Sequence, residues 1–148
     1  MGGLKSVSYR NGDTVIKENY TTDSSLVARE IYLNGHLNSS SHFTNSKLTS
    51  HTRFISGRRH EVINYHENGQ VYARGFCDDT IKYGWWTYYK DGKEDKKIEY
   101  IPLCNGTYYV NQLKYLDSSR NGNQRGQEIF VDLKITNVGG SYQIDYFI

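Results

Sequence analysis

Aromatic residues recur along this chain at a nearly constant step. Tyr9, Tyr20, Tyr32, Phe43, Phe54, Tyr65, Phe76, Tyr88 and Tyr100 are separated by 11, 12, 11, 11, 11, 11, 12 and 12 residues. A cluster of turn-forming residues follows each of the first eight rings. Asn11-Gly12, Asn34-Gly35, Ser56-Gly57, Asn68-Gly69 and Asp91-Gly92 are the clearest; Thr21 to Ser25, Thr44 to Lys47 and Asp78-Asp79-Thr80 fill the other gaps. Asn-Gly and Asp-Gly favour type I′ hairpin turns, whose two central residues both need positive φ. Removing a turn of roughly three or four residues from each period leaves a strand of about seven. Strands joined by such short turns pair antiparallel. The pattern therefore predicts an all-β antiparallel meander of about eight strands over residues 5–100. Residues 24–33 have some helical character, but Asn34-Gly35 directly behind them favours a strand ending in a hairpin.

The period breaks at Pro102 and Asn105-Gly106. Three strand-like runs follow: Tyr108 to Leu116, Ile129 to Ile135, and Tyr142 to Ile148. The polar stretch 117–126 between the first two reads as a long loop. Residues 101–148 are thus expected to form a C-terminal β cap on the 5–100 repeat region, since an open array needs its exposed edge blunted.

Composition sharpens this reading. Mean hydropathy is -0.74, yet 14% of residues are aromatic and 14 are tyrosine. That favours a thin sheet held by rings, because a Tyr ring packs while its hydroxyl stays wet. The net charge of +2 points neither to nucleic acid nor to an anionic membrane. The densest basic spot, Arg58-Arg59-His60, reads as a solvated loop. No apolar run reaches the ~18 residues of a membrane-spanning helix, so no integral membrane segment is expected. The N-terminus carries no apolar leader core, which favours the cytoplasm; export to a periplasm or surface is the alternative if Met1-Gly2-Gly3 replaces a leader. Cys77 and Cys104 could form one bridge or remain free, and do not make a disulfide framework.

Catalytic chemistry finds little support. The five histidines, His36, His42, His51, His60 and His66, show no ligand spacing, so no metal or other cofactor is expected. Asp78-Asp79 suits a turn better than a pair of acid–base carboxylates. These acids also disfavour a thiolate at neighbouring Cys77. The strongest candidate is the aromatic cluster Tyr83, Trp85, Trp86, Tyr88 and Tyr89. On a strand Trp85, Thr87 and Tyr89 share one face, and Trp86 and Tyr88 the other. An open sheet cannot bury both faces, so part of this cluster is left for a partner, with Tyr83, Trp85 and Tyr88 as the expected contact residues.

Gly84, Trp86, Tyr89 and Gly92 fill every fixed place of the pattern Gly-x-Trp-x-x-Tyr-x-x-Gly. The segment resembles the variant MORN repeat. Tyr9 to Gly12, Tyr32 to Gly35 and Phe54 to Gly57 repeat its aromatic-x-x-Gly half, and Val27-Ala28-Arg29 and Leu48-Thr49-Ser50 replace the Gly-x-Trp half. Gly12 to Gly35 and Gly69 to Gly92 both span 23 residues, two aromatic periods. Over residues 5–100 the chain is similar to the bacterial YwqK-family antitoxins built from this repeat, and Val110 to Tyr115 resembles the segment that follows it there. The resemblance implies MORN-like hairpins, a structural role for Gly84, Trp86, Tyr89 and Gly92, and a non-enzymatic protein that neutralises a partner, such as a cognate toxin, by binding it. A lipid- or glycan-binding surface and a structural envelope repeat are the alternatives.

Overall fold

In a computed structural model the backbone is described for residues 5–104, 106–116, 128–130, 132–138 and 141–147, with side chains as far as 116. The protein is all-β. Its first nine strands are β1 (Lys5–Asn11), β2 (Thr14–Tyr20), β3 (Leu26–Leu33), β4 (His36–Thr44), β5 (Lys47–Ser56), β6 (Arg59–Tyr65), β7 (Val71–Asp78), β8 (Ile81–Lys90) and β9 (Lys93–Pro102). Then come β10 (Tyr108–Tyr115), β11 (Glu128–Phe130), β12 (Asp132–Val138) and β13 (Ser141–Phe147). Strands β1 to β11 form one antiparallel sheet in strict chain order, and β12 pairs with β13 separately. The large sheet does not close, because β1 and β11 are not neighbours. No helix occurs among the described residues, and the helical alternative for 24–33 gives way to β3.

Turn chemistry explains the meander. Asn34-Gly35 and Asp91-Gly92 both take positive φ (51° and 79°; 52° and 75°), as type I′ turns require. At the first hairpin the turn is shifted by one residue. Asn11 still pairs with Thr14, so Gly12 and Asp13 are the central pair, and of these Gly12 carries the positive φ (57°). That is the II′ pattern. The longer connection after β2 is closed by side chains: Thr21 Oγ1 bonds Asp23 Oδ1 and accepts from the Ser25 amide at 3.1 Å. Ser24 takes φ +68° there.

The aromatic period has a further structural meaning. Register shifts fall at Asn19/Tyr20, Ile31/Tyr32, His42/Phe43, Asn64/Tyr65 and Tyr88/Tyr89, so the ring marks a β-bulge in hairpin after hairpin. Bulges bend a strand and increase its twist. Each of these bulges therefore adds twist where it falls.

Among the described residues the apolar core lies on one face of β6 to β9. Ala73, Cys77, Trp86, Tyr88 and Tyr100 are its buried members, with Val62 and Ile98 packed against them. Across β1–β5 the same face carries Ser8, Lys17, Glu30, Ser40 and Thr52 in one continuous row, followed by Val62 and Gly75. This row turns from polar to apolar between β5 and β6. The N-terminal half is thus a single layer with polar positions on the face that is apolar further on, and its ladders and cross-strand pairs hold it.

The expected C-terminal strands are found at Tyr108–Tyr115 and Ser141–Phe147. The run expected at 129–135 is divided: Glu128–Phe130 extends the large sheet beside β10, while Asp132–Val138 pairs with β13. Position 131 and the loop expected at 117–126 lie outside the described residues. The expected boundary at residue 100 falls inside β9, and β10 continues the ladder past it.

Candidate partner-binding face

Strand β8 positions the site because its two faces differ. On the core face Trp86 is 1% exposed and donates from Nε1 to the Phe76 carbonyl at 2.9 Å. Its ring meets Tyr100 edge-on at 6.4 Å. Tyr88 and Tyr100 share a hydroxyl–hydroxyl bond of 2.7 Å, and Lys82 Nζ donates to Tyr88 at 3.1 Å. The same ammonium lies 4.3 Å from the Trp86 ring centre, 5.0 Å from Tyr100 and 5.6 Å from Tyr88. Three rings thus cage one cation. Burial pushes the Tyr88 and Tyr100 hydroxyls above their ordinary range, and the hydrogen bond shared with Tyr88 raises Tyr100 further.

The opposite face is fixed by pairing. Phe76 opposes Tyr83, Arg74 opposes Thr87, and Trp85 opposes Glu99. Phe76 and Tyr83 stand 6.0 Å apart, centre to centre. Each neighbouring ring carries a cation: Arg59 over Tyr83 at 5.8 Å, Arg74 over Tyr89 at 5.9 Å, and Lys114 over Trp85 at 5.1 Å. Asn111 donates to Glu99 at 2.6 Å beside Trp85. A hollow of about 300 Å³ opens next to Tyr83, with Arg59, Glu99 and Ile101 in its lining. Phe76 is exposed, and Tyr83, Trp85 and Tyr89 are half-buried.

Of the three expected contact residues, Tyr83 and Trp85 share this face. Tyr88 lies on the other, 8% exposed and bonded to Tyr100. Among the motif residues Trp86 is in the core, Tyr89 is half-buried, and Gly84 and Gly92 both take positive φ (63° and 75°). Sequence reasoning missed Lys82, Gly75, Phe76 and the cations over the rings. The alternation Ala73-x-Gly75-x-Cys77, small at every second position, was the available signal for a large ring packed across from it.

The remaining candidates disperse. Arg58 reaches Asp78 at 3.3 Å and Asp79 at 3.2 Å, tying two hairpin ends together. His51 bonds Ser41 at 2.9 Å, His60 packs on Phe54, and His66 on Tyr72. No group of three or more His, Cys, Asp or Glu among the described residues is placed to hold a metal. Cys77 and Cys104 are both free thiols, one buried and one exposed. No described helix is long and apolar enough to cross a membrane. No family model matches the chain, and no curated protein matches it.

Proposed function

We propose that the protein is a non-catalytic protein-binding module that acts by covering a partner protein, in the manner of an antitoxin or immunity protein built from MORN-like hairpins. The observation that supports this most is the pair of unlike faces on β8. One is closed by Trp86 and its neighbours. The other presents Phe76, Tyr83, Trp85 and Tyr89 with cations laid over three of the rings. Aromatic and arginine side chains on a rigid support are the usual anchors of protein interfaces. The charges over the rings suit a protein surface with acidic groups better than a flat sugar ring.

The test is capture of partners from a native lysate, followed by affinity measurements on the purified pair. Trp85→Ala should weaken binding by at least ~2 kcal/mol, about thirty-fold, with thermal unfolding little changed. Equal affinity for both proteins would remove Trp85 from the site. Turnover of a substrate by the purified chain would overturn the non-catalytic reading.

A further inference from the structure

Every residue of β1 is exposed, and the strand is paired only with β2 among the described residues. The hydrogen-bonding phase of its free edge can be read from the neighbouring turns. Asn11 pairs with Thr14 across a two-residue turn, which makes them a hydrogen-bonded pair. The Asp13 carbonyl accepts from the Asn34 amide at 3.0 Å, on the β3 side, which agrees with that phase. Alternation then turns the backbone groups of Lys5, Val7, Tyr9 and Asn11 toward β2. Those of Ser6, Ser8 and Arg10 point outward, where no strand of the described residues meets them.

Among the described residues this edge has few of the usual protections, its charges being Lys5 at one end and Arg10 near the other. The pairing of β1 with β2 has no bulge, the strand has no proline, and it runs a full seven residues. At the other end of the sheet β11 has three residues.

We propose that β1 pairs antiparallel with β1 of a second copy, with the two-fold axis passing through Ser8. This register is self-complementary. Ser8 opposes Ser8 of the second copy, and Ser6 opposes Arg10, so all the outward amides and carbonyls of these three residues are matched. Val7 opposes Tyr9. Both are exposed apolar side chains on the same face, opposite Glu18 and Ile16 of β2. Lys5 opposes Asn11, so neither cation of the strand meets its like. Two eleven-stranded sheets become one continuous ribbon, and the edge most prone to indiscriminate pairing is closed.

Sedimentation equilibrium over a wide protein concentration range tests this. Wild type should follow a monomer–dimer equilibrium. Ser8→Pro removes an outward amide without touching the β1–β2 ladder, and proline is tolerated where an edge amide faces solvent. It should remain folded by circular dichroism and be monomeric, or bind its copy at least ~tenfold more weakly, a change of about 1.4 kcal/mol. Ser8→Glu is the second variant. Within one chain the new carboxylate faces Lys17, whereas in the dimer two carboxylates meet on the axis, so it too should be folded and monomeric. A wild type that stays monomeric throughout would overturn the proposal. So would a dimer that both variants leave unchanged, which would place the contact elsewhere.

Discussion

Gly75 lies directly against the indole of Trp86: a Cβ at this position would stand 2.4 Å from ring carbons Cγ and Cδ2. Trp86 packs flat against the β7 backbone only because the facing residue has no side chain. Its ring then closes the core face and fixes the strand whose other face carries Trp85.

Gly75→Ala should therefore destabilise the fold by about 1–3 kcal/mol through overpacking. Trp86→Ala should cost about 3–5 kcal/mol through loss of a buried ring. The two should not add, because alanine at position 75 has room once the indole is gone. Chemical denaturation of the four proteins of this cycle measures the coupling. A coupling energy near zero would mean that the backbone shifts to relieve the contact.

The buried Tyr88–Tyr100 pair makes a prediction at high pH. Both hydroxyls are held above the ordinary value of 10, first by burial. Groups raised in the folded state contribute stability that is complete below about pH 10 and lost as pH rises through their folded values. Alkaline unfolding should therefore coincide with the appearance of tyrosinate absorbance from these two residues. Tyr100→Phe should lose about 0.5–1.5 kcal/mol at neutral pH and show a shallower decline above pH 10. An unchanged alkaline profile would mean that this pair does not titrate with unfolding.

The two cysteines should separate cleanly in a thiol-labelling experiment. Burial pushes the Cys77 thiol above its ordinary value near 9, with Lys82 opposing more weakly, while Cys104 is exposed. Only thiolate reacts, so Cys104 should label at once and Cys77 at the rate of opening of the core. Mass spectrometry of timed samples distinguishes the two. Equal rates in native buffer would show that the Trp86 end of the sheet is not a closed core.

The strands and most of the turns were legible in the sequence because each period carries its own local signal. Asn34-Gly35 or Asp91-Gly92 specifies a hairpin without help from the rest of the chain. What decides the site is non-local. Alternation puts Trp86 and Tyr88 on one face, but the burial of Tyr88 comes from Ala73 and Tyr100 on the strands to either side of it. Tyr72 shows the same limit. Its position in β7 is left unpaired by the bulge at Asn64/Tyr65, and its ring meets Tyr88 edge-on at 5.9 Å. A bulge is a property of two strands in register, so counting along one strand does not reveal it.

Toward the other end of the sheet Glu18 is 7% exposed in a region with little apolar core. Its carboxylate accepts from Tyr20 at 2.5 Å and from Arg29 Nε at 2.7 Å, across the β2–β3 pair. The Tyr20 bond first, and then Arg29, hold its pKa below the ordinary 4.5. A depressed carboxylate contributes stability that is present above the unfolded value and lost as pH falls through the folded one. Glu18→Gln should therefore be less stable than wild type at pH 7, by roughly 1–3 kcal/mol for the loss of charged hydrogen bonds. The gap should narrow steadily below about pH 4.5, as wild type takes up the proton that the variant never binds. Denaturant melts of both proteins at a series of pH values measure this gap directly. A gap that stays constant down to pH 2 would mean that the loss comes from altered packing of the amide, and that the charge of Glu18 does not hold β2 to β3.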